Sequence, residues 1–159
     1  RVGKLYITDS DVLGSLTDLM RLESIETDLV LANNPALAAL TGLEKITALT
    51  GQLIISENNT LTTLHGLDAL VHVEDVISIA DNAALTSLAG LQGLRDAGRI
   101  SVFDNPALRS VEALEGLTAV ERSLEVFDNP CLRGAARGLA DIPMKDRLRS
   151  IEDGERCPD

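Results

Sequence analysis

A repeat of nearly constant length constrains this chain more than any other feature. Its clearest copy reads I-S-V-F-D-N-P-A-L, from Ile100 to Leu108. The steps between successive copies are 24, 24, 24, 23 and 24 residues, and the first residues of the copies are Leu5, Leu29, Leu53, Ile77, Ile100 and Leu124. Self-similarity at a fixed period of this size is typical of solenoids. The chain therefore consists largely of one supersecondary unit that is repeated about six times.

Each copy predicts a short strand followed by a compact return. Two apolar residues flank one outward position in Leu53-Ile54-Ile55, which indicates a strand of period two. The later apolar residues are spaced by three, which favours 3₁₀-like turns over an α-helix. We predict a right-handed β-solenoid of about six coils with parallel strands over residues 2–132, closed by a C-terminal cap over residues 133–159. The cap segment 144–151, which follows Pro143, fits a short helix.

A column of asparagines marks the corner after each strand. Its members are Asn34, Asn58, Asn82, Asn105 and Asn129. An inward-facing Asn can both donate to and accept from the backbone groups that a bend leaves unpaired. We interpret the column as a structural ladder, and a binding site is the alternative. Gly42, Gly66 and Gly90 recur at another corner, where we expect them to serve backbone geometry.

A second polar row precedes the asparagines by one residue. It consists of Asp9, Asn33, Glu57, Asp81, Asp104 and Asp128. Such residues commonly accept backbone hydrogen bonds in turns. Stacked carboxylates also repel one another, and a divalent cation with oxygen ligands would relieve that repulsion. The turn role is the main interpretation, and calcium binding stays open.

The outward strand positions form the face that solenoids commonly present to partners. This face includes the only two phenylalanines of the chain, one coil apart. A neighbouring aromatic pair is suited to a binding patch. The alternative is that the cap or a flanking domain covers the pair. The candidate contact residues are Phe103, Phe127, Tyr6, Ser78, Ser101 and Ile54.

The two cysteines lie at the C-terminal side, at Cys131 and Cys157. Their positions suit a disulfide that ties the cap to the solenoid, and such a bond indicates an oxidising compartment. Two unpaired thiols are the alternative, because Cys131 occupies the slot that Ala36 and Ala107 fill in other coils.

The formal net charge of −11 disfavours nucleic acid and anionic membrane surfaces as partners. No apolar run approaches the roughly 20 residues of a membrane helix. His65 and His72 have no zinc-site spacing around them, and no nucleophile motif stands out. We therefore expect no metal, no cofactor and no enzymatic activity.

The spacing within one coil resembles two known families. The form L-x-I-x-D-N-P-x-L-x-x-L-x-x-L resembles leucine-rich repeats. Leu53-x-Ile55-x-x-Asn58-x-x-Leu61 carries an additional residue after the Asn, which makes it more similar to the receptor L domain. The start Gly51-Gln52-Leu53-Ile54-Ile55 supports the same likeness.

The receptor L domain is the ligand-binding solenoid of the insulin and epidermal growth factor receptor families, and relatives occur on bacterial surface proteins. The alanine-rich, nearly aromatic-free composition looks more like the bacterial proteins. The resemblance, over residues 2 to about 133, implies a solenoid of the receptor L-domain type with a binding role.

We therefore expect an extracytoplasmic recognition module, secreted or at the cell surface, and in the outer membrane or periplasm if the source is bacterial. Its partner would be a protein or a glycan. The alternative is a structural spacer or stalk segment of a larger surface protein. Because Arg1 stands almost directly before the first strand, we also expect a processed chain or a piece of a longer one. The uncapped first coil would allow self-association.

Overall fold

A computed structural model describes residues 1–134, 138–144, 148–152 and 157. This part of the chain forms a parallel β-solenoid of about six turns with almost no helix. The described residues contain eight strands of one sheet. The strands are β1 (Leu5–Thr8), β2 (Leu29–Ala32), β3 (Ala48–Leu49), β4 (Leu53–Ser56), β5 (His72–Ala80), β6 (Asp96–Phe103), β7 (Ala119–Phe127) and β8 (Leu148–Ile151).

The repeat sets the register of the sheet. Its spatial order is β1-β2-β4-β5-β6-β7-β8, and β3 pairs separately with the first residues of β5. The first residue of each repeat copy, which we call its anchor, pairs with the anchor of the next coil, as Leu29 does with Leu53 and Ile77 does with Ile100. Equivalent side chains therefore lie in columns across the sheet. The spacing within such columns is about 4.8 Å.

The return side of each coil is built from tight turns. Leu43 donates its backbone N–H to the Leu40 carbonyl at 3.2 Å, and Ile46 donates to Leu43 at 3.0 Å. These bonds span three residues, as the spacing of three predicts. Thr17–Leu19 and Glu112–Leu114 form regular 3₁₀ turns. An α-helix would have turned every third leucine progressively away from the core.

The core is a stack of leucine, isoleucine and valine layers. From the second coil to the sixth, the apolar slots are almost entirely inaccessible to solvent; Leu37, Leu61 and Leu85 are each 0% exposed. Full burial of one such side chain is worth about 1.5–3 kcal/mol. The first coil differs, because Leu5, Ile7 and other apolar residues there are only partly buried. These residues have a packed layer on one side only.

Three glycines allow consecutive coils to approach closely. Gly42, Gly66 and Gly90 have positive φ values of 119°, 115° and 116°. A Cβ at each would collide with a leucine carbonyl of the preceding coil. Backbone geometry and close packing together require glycine here.

The C-terminal segment continues the same sheet. Leu139 and Ile142 are buried in the core, and β8 pairs in parallel with β7 from Ser123↔Leu148 to Val126↔Ile151. The expected helix was wrong for 148–151, because pairing there satisfies the polar edge of β7, which a helix would leave open. The boundary between solenoid and cap stays a prediction. Residues 135–137, 145–147, 153–156 and 158–159 of the expected cap lie outside the described residues.

A disulfide joins Cys131 to Cys157. Cys131 is 7% exposed at the corner of the last regular coil. The bond closes a loop with a sequence separation of 26 residues, which connects the end of the chain to the solenoid. Of the two alternatives drawn from the sequence, the structure has the bonded pair.

Candidate functional site

The outward side chains of the strands form two rows across the sheet, which we call the sheet face. Alternation along each strand directs every second residue away from the core. In β2 and β4 the burial pattern is buried, half-buried, buried, half-buried. The first row is Tyr6, Val30, Ile54, Ser78, Ser101 and Glu125, and the second is Thr8, Ala32, Ser56, Ala80, Phe103 and Phe127.

The middle of these two rows carries no charge, and the exposed Arg99 of β6, the outward residue before Ser101, borders it. Eight positions on four consecutive paired strands are small or apolar, whereas charged residues make up 25% of the chain. These positions are Val30, Ala32, Ile54, Ser56, Ser78, Ala80, Ser101 and Phe103. A flat, uncharged patch held on a hydrogen-bonded sheet needs little ordering when it binds a partner.

Phe103 and Phe127 close the C-terminal side of this patch. Their rings stack with centroids 5.2 Å apart and planes within 2° of parallel. Both side chains are half-buried, so part of each ring contacts solvent. A stacked pair of this kind contributes about 0.5–1.5 kcal/mol beyond its buried area. The pair is both a structural contact and an exposed aromatic surface.

Tyr6 lies at the other end of the sheet face, and its hydroxyl is already engaged. It donates to the Asp28 carboxylate at 2.7 Å, and Lys4 pairs with the same oxygen at 2.9 Å. The second Asp28 oxygen accepts the Gln52 N–H at 3.2 Å. Tyr6 is five strand steps from Phe127 in the sheet order, or about 24 Å. The structure therefore separates Tyr6 from the phenylalanine pair, whereas Ile54, Ser78 and Ser101 adjoin one another.

The contacts of Asp28 shift the pKa values of Asp28, Tyr6 and Lys4. Hydrogen bonds from Tyr6 and Lys4 lower the pKa of the Asp28 carboxyl. The bond to Asp28 raises the pKa of Tyr6 and that of Lys4. Asp28 was not singled out from the sequence. One signal was available, because Gly51 stands where a Cβ would collide with the Asp28 carboxylate.

The polar row beside the sheet face adopts the left-handed backbone conformation. Its φ values lie between 52° and 59° at Asp9, Asn33, Glu57, Asp81, Asp104 and Asp128. Asp and Asn tolerate this conformation better than other non-glycine residues. The Asn33 amide donates to the Asp9 carboxylate at 2.8 Å and lowers the pKa of Asp9. Backbone geometry thus accounts for the row's preference for Asp and Asn, a reason that the sequence interpretation did not contain.

In five of the six corners the next residue turns inward and forms the asparagine column, whereas the first corner has Ser10 at this position. Its members are at most 2% exposed. Asn105 is typical: its amide donates to the carbonyls of Ile79 at 3.0 Å and Phe103 at 2.8 Å. Its oxygen accepts the Asn82 backbone N–H at 3.2 Å. These side chains are enclosed by backbone and are not accessible to a partner.

A shallow groove of about 390 Å³ runs along the corners of the last three regular coils. Asp81, Asp104 and Asp128 line it, together with Ala83, Pro106 and Pro130. The first three residues belong to the left-handed row. Asp104 and Asp128 directly follow Phe103 and Phe127 in the chain. The carboxylates thus lie one residue beyond the aromatic pair in the chain, and the residues that line the groove do not include either ring.

A second groove, of about 610 Å³, lies at the opposite ends of β5, β6 and β7. It coincides with the one coil that is a residue shorter, where Gly98 stands opposite two residues on each neighbouring strand. Arg122 reaches across this gap to the Asp75 carbonyl at 2.9 Å and to its carboxylate. His72 pairs with Asp96 at the same groove. The sequence interpretation noted the missing residue but not Arg122, although Gly98 was a signal.

Comparisons with protein-family models, with curated proteins and with solved structures found no match to this chain. Within the described ranges, no helix is long and apolar enough to span a membrane. No group of three or more His, Cys, Asp or Glu side chains in those ranges is arranged to hold a metal ion.

Proposed function

We propose that this solenoid is a non-enzymatic recognition module that binds a protein or glycan partner outside the cytoplasm. The observation that supports it best is the uncharged middle of the sheet face, which ends in the half-exposed Phe103–Phe127 stack. Aromatic residues are enriched at binding hot spots. Binding by a preformed surface also avoids most of the entropy cost of ordering loops.

The resemblance of the coil to the receptor L domain supports the same role. In that family a solenoid of similar repeat form serves ligand binding, and the alanine-rich, nearly aromatic-free composition of this chain looks more like that of a bacterial surface protein. The Cys131–Cys157 disulfide supports an extracytoplasmic location, because such bonds persist in oxidising compartments. Binding to a surface or secreted partner is the function that these features favour together.

The test compares capture of partners by the parent domain and by Phe103→Ser/Phe127→Ser. The immobilised domains are exposed to extracellular extracts and, separately, to a glycan array. We expect a partner retained by the parent to be lost by the double variant. A matched control is Val12→Ser/Met20→Ser, because these apolar side chains are 90% and 58% exposed and lie off the sheet face. Circular dichroism melts establish that every variant is folded.

A structural spacer is the second candidate, and one observation favours it. The first coil leaves Leu5, Ile7 and Leu13 only partly buried, so another coil or a second copy would find an apolar layer to stack on. Unchanged partner capture by Phe103→Ser/Phe127→Ser, with a lower melting temperature, would favour the spacer. Concentration-dependent dimers in sedimentation experiments, abolished by Leu5→Lys/Leu13→Lys in a variant that circular dichroism shows to be folded, would assign the apolar layer of the first coil to self-association.

A further inference from the structure

The first strand leaves one edge of the sheet unpaired. β1 stands at the end of the strand order, and among the described residues it pairs only with β2. Leu5 donates its backbone N–H toward the second coil, to the Asp28 carbonyl at 2.8 Å. Alternate residues of a strand direct their backbone polar groups to opposite edges. Those of Lys4, Tyr6 and Thr8 therefore face the free edge, where they are available to pair with another strand.

An apolar layer lies beside this edge. Six apolar side chains of the first coil are only partly buried and pack against the core on one side: Val2, Leu5, Ile7, Leu13, Leu19 and Leu22. The step from the first anchor to the second is 24 residues. A stable protein interface takes about 20–30 residues from each partner. One coil with its free edge is therefore large enough to form such an interface.

The corner of the first coil lacks the group that joins each later coil to the one before it. In later corners the Asn side-chain amide donates to a carbonyl of the preceding coil, as Asn34 does to Ile7 and Asn58 does to Leu31, both at 2.9 Å. Ser10 occupies this position in the first coil. A hydroxyl has one hydrogen to donate, whereas an amide has two. This difference favours an occupant that packs on the first coil in another way than the parallel coils do.

The charges beside β1 favour an antiparallel second copy as that occupant. Over residues 1–11 the basic side chains, Arg1 and Lys4, come first, and the acidic ones, Asp9 and Asp11, follow the strand. All four are exposed, and the Lys4 side chain is 61% exposed although it pairs with Asp28. Antiparallel pairing of two β1 strands brings the basic end of each against the acidic end of the other. Parallel pairing of the two strands would bring like charges together, which is destabilising.

We propose that this chain forms a twofold-symmetric dimer through antiparallel pairing of two β1 strands. When Tyr6 of both copies lies on the twofold axis, the backbone groups of Lys4 face those of Thr8 in the other copy. This register allows about six intermolecular hydrogen bonds. It also places Leu5 of one copy opposite Ile7 of the other, so the inward apolar residues of both copies continue one core. The interface is the same on both copies and closes at two.

The dimer does not depend on the recognition function, because Phe103 and Phe127 lie toward the other end of the sheet. A twofold axis perpendicular to the sheet directs both sheet faces the same way. Phe127 is five strand steps from Tyr6, so the two copies of Phe127 are about 50 Å apart in the dimer. If the sheet face binds as proposed above, the dimer holds a partner with two sites at that spacing bivalently.

The first test is sedimentation equilibrium of the disulfide-intact chain over a range of concentrations. Thr8→Pro removes an N–H that faces the free edge and fills its place with a ring, and the ladder between β1 and β2 keeps its bonds. Thr8→Ala is the matched control, because it keeps this N–H. We expect Thr8→Pro to raise the dissociation constant of the dimer at least about tenfold, and Thr8→Ala to change it less than about twofold. Circular dichroism melts establish that both variants are folded.

The second test measures the register by cross-linking, and it decides the matter if Thr8→Pro does not fold. Two Tyr6 residues in a hydrogen-bonded antiparallel pair have Cα atoms about 5.5 Å apart, a distance that suits a disulfide. We therefore expect Tyr6→Cys to form a covalent dimer under mild oxidation. The control is Val12→Cys, because Val12 is 90% exposed against 54% for Tyr6 and lies outside β1. We expect its cross-linking to be at least about tenfold slower.

Three results would overturn the proposal. One is a parent chain that is monomeric at every concentration up to its solubility limit. Another is a series of oligomers that grows beyond the dimer, which indicates head-to-tail stacking. The third is cross-linking of Tyr6→Cys no faster than that of Val12→Cys. We expect Phe103→Ser/Phe127→Ser to dimerise like the parent, so loss of partner capture in that variant and loss of the dimer are observed separately.

Discussion

At the scale of single residues, each corner of the solenoid depends on two adjacent side chains with different tasks. The first adopts positive φ, as Asp104 does at 53°, and turns the chain out of the strand. The second, such as Asn105, then points inward and satisfies the backbone groups that the turn leaves unpaired. Because each Asn also bonds to the preceding coil, the corner both ends a strand and joins two coils.

Removing one buried asparagine should destabilise the whole domain. In Asn105→Ala the Asn82 N–H and the Ile79 and Phe103 carbonyls lose their side-chain partner. Unpaired buried polar groups cost about 1–3 kcal/mol, so we expect the free energy of unfolding in urea to fall by that amount. The control is Asn59→Ala, whose exposed side chain accepts one backbone N–H. A melting temperature unchanged in Asn105→Ala would contradict the structural role of the column.

Asp28 should make stability depend on acid pH. Its pKa is lowered in the folded state by Tyr6 and Lys4, so its contribution is fully present above the unfolded pKa of about 3.9. The contribution is lost as the pH falls through the folded pKa. We expect Asp28→Asn to melt at a lower temperature at neutral pH and to show a smaller further decrease on acidification.

Thermal melts recorded from neutral pH down to about pH 2 measure this difference. Asp11→Asn serves as the control, because Asp11 is an exposed carboxylate of the first coil. An acid limb in Asp28→Asn as steep as that of the parent would show that the Asp28 contacts do not contribute.

At the scale of elements, the shortened coil is the one departure from the 24-residue spacing between the first residues of the six copies, and the structure compensates for it from two sides. Gly98 brings the chain close to the Glu74 and Asp75 carbonyls, where a Cβ would collide. Arg122, from the following coil, reaches over Gly98 and donates to Asp75, 47 residues earlier. Glycine and arginine together let a coil of 23 residues stack between coils of 24 without shifting the anchors.

Substitution of Gly98 should therefore disturb the stack. In Gly98→Ala the new methyl group meets backbone carbonyls that cannot move freely, and we expect a loss of about 2 kcal/mol in the free energy of unfolding. Gly116→Ala is the matched control, because its Cβ would meet the far end of the Arg95 side chain, which can move aside. Equal denaturation midpoints for the two variants in urea would contradict this account of the short coil.

At the scale of the whole molecule, the two ends of the solenoid differ. At the C-terminal end, β8 pairs with the last long strand and the Cys131–Cys157 disulfide joins the tail to the last coil. At the first coil, apolar residues such as Leu5 and Leu22 stay partly exposed. The sheet face lies between these ends with its charge-free middle.

Removing the disulfide should lower the free energy of unfolding and leave the hydrophobic core folded. Closing a loop with a separation of 26 residues is worth about 3.5 kcal/mol in the chain-entropy model. We expect reductant, or Cys131→Ala/Cys157→Ala, to lower the free energy of unfolding by that amount. Alanine fits at position 131 because Ala36 and Ala107 occupy the same slot. Reductant should not affect the double variant, and two free thiols titrated in the unreduced parent would contradict the prediction.

The period of the sequence was sufficient to predict the stack of coils, the parallel strands and the short-range turns. The reason is that every apolar slot recurs with the same small volume, so one local pattern is reinforced by identical layers above and below. The outward rows were predicted from the alternation of inward and outward residues along each strand. The same alternation predicted that Phe103 and Phe127 are neighbours, and their rings are stacked. The part of the candidate site that repeats was therefore accessible from the sequence.

The features that do not repeat were decided by tertiary packing. Asp28 acquires Tyr6, Lys4 and Gln52 as partners only when two coils meet. Arg122 reaches Asp75 because the intervening coil is short. The segment 148–151 forms β8 because the last coil offers an edge of unpaired backbone groups. The secondary-structure propensity of the segment itself does not include the need to pair that edge. Such contacts depend on the distances between side chains of different coils. The spacing of residues along the sequence does not contain those distances.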